Sequence, residues 1–480
     1  MRKYVLLYFY LLCYLFFSSC SNTITTAVDD SKEEAIDEPD VWEVISIPKW
    51  VQRTGNATKG KAYLFSGDYM SSGIPYAVYL GIYGQDNENV LNRTGDNAVI
   101  NSGYTAVTAP NGVRVVAPNC LNCHSAKINN TYVIGLGNHS SDFTFNRADL
   151  EPLLTSGIAQ VYGADSPEFE AYQQFRKSIL AIGPKTITQS IGVNSANKIA
   201  EVLTSHRDKN TFEWRDTPFV AITNDVIPVD VPAWWLLKSK NALFYTALLR
   251  NDFCKSFIGA SLLTLKDLDK AKEIDAKMPD VLAYLKSLEA PDYPFPINSS
   301  LAEQGKPIFD RKCAGCHGNY GTPDAYYPNS LVALSTIKTD AELSNHYTTT
   351  TIASAYFAAW LNTGYLGADS NGIVLKAEGG YVAPPLDGVW ATAPYFHNAS
   401  VPTLMDVLNS KNRPVLWSRT FDATDYNQTK VGWNYTVETI KVQTKTYDTT
   451  LKGYGNGGHT FGDELSETER LAVIEYLKTL

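Results

Sequence analysis

The chain has 480 residues, 44% hydrophobic and 19% charged, with 32 Gly and 23 Pro. That composition excludes a collagen-like or low-complexity polymer and leaves room for two or three domains with real cores. A formal charge of −9 excludes nucleic acid as the main partner, because no basic excess exists to neutralise phosphates. Seven cysteines are too few for a disulfide framework and odd in number, so their placement is what informs.

Residues 1–20, MRKYVLLYFYLLCYLFFSSC, read as an export signal. Arg2 and Lys3 precede an apolar run, 4–17, that is short for a membrane span of roughly 18 residues or more. Ser18-Ser19-Cys20 resembles a bacterial lipobox, which makes Cys20 the acylated first residue of a mature lipoprotein. A plain signal peptide and a buried N-terminal helix are the alternatives. Residues 29–40, DDSKEEAIDEPD, carry seven acidic groups and one Lys, the signature of a solvated spacer. We therefore place a lipoprotein signal peptide at 1–19 and an acidic flexible tether at 20–45. No other stretch is long and apolar enough to span, so the expected contact with a membrane is the lipid anchor alone, facing the periplasm or the cell surface.

The segment 41–115 is rich in Gly, Asn and Tyr and reads as irregular with a few short strands. Then come Cys120-Leu-Asn-Cys123-His124 and, later, Cys313-Ala-Gly-Cys316-His317. Both fit C-x-x-C-H, the attachment pattern of c-type haem. Two thiols three positions apart lie on one side of a helical turn and each form a thioether with a vinyl group of one porphyrin. The adjacent imidazole then reaches the iron, so His124 and His317 are expected metal ligands. A redox dithiol or half of a zinc ribbon are the other readings, but zinc wants four local ligands and neither motif has a second Cys pair nearby. Two such motifs behind an export signal point to two covalently attached haems. Of the remaining cysteines, Cys13 leaves with the signal and Cys254, in Phe-Cys-Lys-Ser-Phe, reads as a small core residue.

The motifs also mark a repeat. Asp280–Leu288 (DVLAYLKSL) follows the first and Ala472–Leu480 (AVIEYLKTL) follows the second, with Tyr284 160 residues after His124 and Tyr476 159 after His317. Each half thus closes with an amphipathic helix. The last has a capping box at Ser466 and Glu469, with Leu471, Ile474 and Leu477 on one face. Ala290-Pro-Asp-Tyr-Pro-Phe-Pro296 reads as an extended linker, placing haem domains at 46–294 and 295–480. Ser300 and Glu303 look like the cap of the helix that leads into the second motif.

Residues 378–404, EGGYVAPPLDGVWATAPYFHNASVPTL, together with both haem motifs, resemble the bacterial dihaem cytochrome c peroxidase superfamily and, within it, the branch of rubber oxygenase A. Gly457-Gly-His-Thr-Phe-Gly462 and the terminal Glu475-Tyr-Leu-Lys-Thr-Leu480 point the same way. The resemblance implies a mainly α fold of two cytochrome c-like haem domains in tandem, with irregular, loop-rich insertions and a few short strands. It also implies an oxidoreductase whose N-terminal haem binds dioxygen or hydrogen peroxide. The C-terminal haem would transfer electrons to or from a redox partner protein or a small donor.

In that branch the second haem is expected to be bis-histidine ligated, and the distal position maps to His459. His397 is the alternative, or else a hydrogen-bonding neighbour. Fourteen residues after His397, where related peroxidases place a Met or Tyr ligand, this chain has Lys411; Met405 is the only methionine nearby. His139, 15 residues after His124, is a distal candidate or a loop residue; His206 reads as surface and His346 as a loop or helix end. Relatives also place a Trp between the haems. A gapless match of Pro232–Thr246 to Pro384–Asn398 sets Tyr245 opposite His397, making Tyr245 and Trp235 inter-haem candidates, with Trp234 beside them. The acid/base Glu expected next is missing, since 246–262 offers only Asp252. That weakens a plain peroxidase assignment and keeps a pure electron-transfer cytochrome open as the alternative, with a haem-containing binding module third.

Overall fold

Asn56 begins a helix: its side chain accepts a hydrogen bond from the Lys59 amide, satisfying one donor that a helix N-terminus leaves free. The helix it caps, Ala57–Ser66, crosses the helix Met278–Lys286. The crossing is close because position 60 is glycine; a Cβ there would sit 1.8 Å from the Asp280 carbonyl oxygen. The same device recurs downstream. Asn298 caps Ser299–Lys312 through the Leu301 amide, and that helix crosses Glu467–Leu477 at Gly305, whose Cβ would sit 2.0 Å from the Ala472 oxygen. In each pair the capping Asn also donates its own N–H to a carboxylate on the crossing helix, Asn56 to Asp280 at 2.6 Å and Asn298 to Glu475 at 2.8 Å.

The structure is a computed structural model that describes residues 43–480. The signal, Cys20 and most of the tether expected from the sequence lie outside the described residues. Helix outweighs strand, and long irregular stretches join the elements. Two expectations need correction. The segment 41–115 is not merely irregular: it holds helices Ala57–Ser66 and Tyr76–Tyr83, the first hidden because its pattern is short and mixed. The cap before the second motif is Asn298, two residues earlier than Ser300. The capping box at Ser466 and Glu469 forms as expected.

Small sheets decorate this frame. Tyr104–Thr108 and Arg114–Pro118 pair antiparallel, with Ala106 opposite Val116, and Ile74–Pro75 joins the other edge. Ser125–Ile128 and Thr131–Ile134 form a hairpin directly after the first cysteine motif. Its two-residue turn, Asn129-Asn130, has φ of 47° and 59°, a left-handed pair that Asn tolerates well.

Two large cores follow, and they share segments. One gathers Leu64, Phe65, Leu121, Phe253 and Leu285, but also Phe357 and Trp360 from the C-terminal half. The other gathers Phe309, Trp390, Val473 and Leu477, but also Ile128, Leu136 and Trp235 from the N-terminal half. The linker 290–296 has no regular secondary structure, yet it is packed: Trp390 donates to the Pro291 carbonyl at 2.8 Å and Tyr293 to that of Gln428 at 3.1 Å.

The gapless internal match has a structural counterpart. Leu243 bridges Leu249, and Tyr395 bridges Val401, around matching turns. Phe244 and Phe396 have φ of 67° and 73°, Ala247 and Ala399 of 52° and 58°. Four non-glycine residues in a left-handed conformation at matched positions mark a retained local structure. Tyr245 occupies in its turn the place His397 occupies in the other.

Candidate cofactor centre

The helix Ser299–Lys312 delivers the second cysteine motif. Cys313 closes it, donating its N–H to Phe309, and Ala314–His317 forms one further turn. Gly318, at φ 85°, ends that turn where a side chain would be strained. Cys316 and His317 each donate their N–H to the Cys313 carbonyl, at 3.2 and 3.0 Å, which places both thiols and the imidazole on one wall of a cavity. His317 Nδ1 lies 2.8 Å from the Pro384 carbonyl. The carbonyl can only accept, so Nδ1 carries the proton and Nε2 keeps its lone pair for a metal. Burial lowers the His317 pKa, and the neutral imidazole is the ligating form.

The cavity is open to solvent on one side and, counting that open space, spans about 1580 Å³ free of protein atoms, with Phe309, Leu386, Tyr395, Leu404, Val473 and Leu477 among its walls. His459 stands opposite His317, ring centroids 6.2 Å apart. Two imidazoles binding one metal from opposite sides, each nitrogen roughly 2 Å away, take about this separation. Burial, assisted by the nearby His317 and Arg413, pushes the His459 pKa down to about 3, so it too is neutral. The donor set therefore fits a c-type haem: two thiols on one wall, two neutral imidazoles in opposition, and an apolar chamber between.

His459 is held by its backbone. Its N–H donates to Ile337 at 2.7 Å, and it sits at φ 46° after Gly458 at φ 71°. A Cβ on Gly458 would lie 2.2 Å from the Lys338 backbone, so only glycine lets the loop approach so closely. Arg413, buried at 8% exposure, makes five donations to carbonyls of this region: Asp406, Val407, Asn456, Gly458 and His459, at 2.6–3.1 Å. Its guanidinium also lies 4.9 Å from the centre of the Phe396 ring, which packs on His459.

His397 lines the same cavity but lies stacked on Tyr381, with centroids 4.0 Å apart and planes within 16°. Its Nε2 has no hydrogen-bond partner among the described residues. Tyr245 also lines the cavity and donates to Asp230 at 2.5 Å. Burial pushes the Asp230 carboxyl up to about 7, and Asp230 is itself part of the cavity wall. Lys411 is exposed in a short turn, 410–412, and Met405 packs partly buried at the edge of the core.

The first motif is built differently. Asn119 accepts from the Leu121 amide and starts a single 3₁₀ turn, Cys120–Asn122, with His124 donating its N–H to Cys120 at 3.1 Å. The His124 ring lies on Trp234, centroids 4.4 Å apart and planes within 17°. Its Nδ1 has no hydrogen-bond partner among the described residues, and burial lowers its pKa to about 3. Cys123 Sγ accepts from Asn194 at 3.4 Å. His139 is buried nearby, against Trp433, with Arg419 donating to its carbonyl and within 3.2 Å of its Nδ1. Its Nε2 is unpartnered among the described residues. His206 stacks on Trp214, half-buried, while His346 lies in the last turn of the helix Glu342–Thr348 and pairs with buried Glu201. Cys254 is fully buried in the first core.

The turn Trp234–Lys238 links the two motifs. Trp234 faces His124, while Ala233 and Leu236 line the cavity of His317. Trp235 donates from its indole to the carbonyl of Asp387, another cavity residue, at 2.8 Å. Sequence reasoning names Tyr245 and Trp235, with Trp234 beside them; the geometry adds Arg413 and the Pro384 carbonyl. Only the adjacent prolines of the 378–404 run hint at the last.

No helix among the described residues is long and apolar enough to cross a membrane. The chain is 28% identical over 242 residues to the Sinorhizobium fredii (strain NGR234) protein y4iM, covering 47% of this chain and 52% of that one. It is 39% identical over 125 residues to y4iJ of the same strain, covering 24% of this chain and 20% of that one. It thus spans about half the length of one relative and a fifth of the other. Among solved structures, a hydrazine synthase from Kuenenia stuttgartiensis is similar at 19% identity over 47% of this chain and 60% of that one, with a TM-score of 0.22. Residues 380–418 match the family described as RoxA-like, cytochrome c-like. That segment, which holds Pro384, Phe396, His397 and Arg413, is a cytochrome c-like domain segment, and haem c is the cofactor it implies.

Proposed function

We propose that the protein is an exported dihaem c-type cytochrome acting as an oxidoreductase, anchored through an acylated Cys20. Haem domains at 46–294 and 295–480 would attach their cofactors at Cys120 and Cys123 and at Cys313 and Cys316. The observation that carries the proposal is the opposition of His317 and His459 across an apolar cavity. A haem held there supplies a one-electron redox centre, and two imidazoles give it a lower potential than a His/Met pair. The protein keeps both ligands neutral, fixes the tautomer of His317 through Pro384, and locks the His459 loop with Arg413. With both imidazoles engaged, such a haem would suit electron transfer and would leave dioxygen or peroxide binding to the first site. There His124 would be the attachment-side ligand, and Trp234, stacked on it, belongs to the turn whose Ala233 and Leu236 line the second cavity. The repeated helix crossing at Gly60 and Gly305 supports two equivalent haem domains. Electrons would come from a redox partner protein or small donor.

A second reading, a pure electron-transfer cytochrome, rests on His139: its Nε2 has no hydrogen-bond partner among the described residues and would be free to serve as a second ligand of the first haem. Absorption and electron paramagnetic resonance spectra of the purified full chain test both. The expected result is two haems per chain, one low-spin and one that is pentacoordinate or dioxygen-bound and responds to peroxide. Two six-coordinate low-spin haems at every redox level, with no response to dioxygen or peroxide, overturn the oxygenase or peroxidase reading in favour of the carrier.

A further inference from the structure

Lys240 puts its side chain into the wall of the His317 cavity, and its ammonium has no ion-pair or hydrogen-bond partner among the described residues. The cavity's other lysine, Lys312, pairs with Glu464 at 3.4 Å. Of the carboxylates in the wall, Asp230 is engaged by Tyr245, and neither it nor Asp387 pairs with Lys240. Burial alone drives the Lys240 pKa down to about 8. Lys240 is half-buried, and a cation set against a largely apolar wall without a counter-ion is disfavoured, so this position favours an anion.

The placement is fixed by its neighbours. Asn329, at 9% exposure, donates to the Ser239 carbonyl at 2.9 Å and accepts from the Asn241 amide at 2.7 Å. One side chain therefore clasps the residues on both sides of Lys240. Asn241 in turn donates to the Ile47 carbonyl at 2.9 Å. A backbone pinned on both flanks loses little entropy in presenting the ammonium to a ligand.

A haem attached at Cys313 and Cys316 uses its vinyl groups for the thioethers and leaves its two propionate carboxylates to be met by other residues. We infer that Lys240 is the counter-ion of a haem propionate at the second site, a cofactor-binding contact supplied by the N-terminal half to the haem of the C-terminal half. The inference rests on the reading of Cys313, Cys316 and His317 as a haem site. The ammonium neutralises the carboxylate by a charge-assisted hydrogen bond and so favours the reduced haem, which carries one positive charge fewer.

The test uses the full-length holoprotein, with haem counted by the pyridine haemochrome method. Lys240→Met is expected to keep two haems per chain and the low-spin spectrum. It lowers the midpoint potential of the low-spin haem and shifts the propionate-bending band in resonance Raman. Lys240→Arg returns both towards the parent values. An unchanged Raman band overturns the inference even if the potential moves, because a distant charge acts on potential alone. Should Lys240→Met lose haem, Lys240→Gln is read by the same two signals. A parent chain with no haem on Cys313 and Cys316 overturns the site assignment itself, which separates that failure from this one.

Discussion

Trp234 lies flat against His124, with ring centroids 4.4 Å apart and planes within 17° of parallel, while the next residue, Trp235, turns the other way and bonds the Asp387 carbonyl. Adjacent indoles thus serve different sites. Trp234→Leu is expected to slow electron equilibration between the haems, measured by flash photolysis or stopped-flow reduction. Trp235→Phe should leave that rate near the parent value and cost about 1 kcal/mol for the lost hydrogen bond. Equal slowing in both variants would remove the special role of Trp234.

His459→Ala is expected to turn the second haem high-spin while the first keeps its spectrum. His397→Ala should leave the low-spin signal in place, because that ring is engaged by Tyr381. The reverse pattern in electron paramagnetic resonance would transfer the ligand role to His397.

Arg413→Met removes five donations to backbone carbonyls. We expect a loss of about 3 kcal/mol or more in denaturant unfolding, since bonds from a charged donor each contribute about 1.5–3 kcal/mol. A fraction of high-spin second haem should accompany it, because the loop that aims His459 is released.

Gly305→Ala and Gly60→Ala should each destabilise by about 1–3 kcal/mol, the usual cost of forcing atoms into a packed contact. Gly157, in the helix Glu151–Tyr162, has open space on the side where a Cβ would stand, with nothing within 4 Å. Gly157→Ala should therefore stabilise by up to about 1 kcal/mol through helix propensity alone. Calorimetry of the three variants separates crossing from propensity.

Asp230 is held with its pKa raised to about 7 by burial, against roughly 3.9 in an unfolded chain. The folded protein therefore binds the proton more tightly. Its stabilising contribution is complete below about pH 4 and is lost as pH rises through 7. Asp230→Asn should be more stable relative to the parent chain at pH 8 than at pH 4, as read by thermal unfolding across that range.

The attachment motifs and the closing helices are legible in the sequence because covalent chemistry and helical periodicity are local. His459 comes from a resemblance, and its place opposite His317 depends on a contact between positions 337 and 459 that no spacing reveals. Arg413 and Lys240 carry no motif: one acts through backbone carbonyls, the other through lacking a partner, and both are visible only in three dimensions. The helix Ala57–Ser66 escapes a sequence reading because its pattern is short and mixed and a sheet separates it from Cys120, whereas its counterpart runs straight into Cys313. The turn at Tyr245 is readable, since a gapless match preserves its backbone.

The shared cores bear on how the protein matures. The N-terminal core is completed by Phe357 and Trp360, residues far along the chain from Cys120 and Cys123. Until these residues dock, the first motif lies in an unfinished fold, where a porphyrin would still reach its thiols. On the proposed dihaem reading, both cofactors would be attached before the shared cores close, and closing the last core would seal the two together.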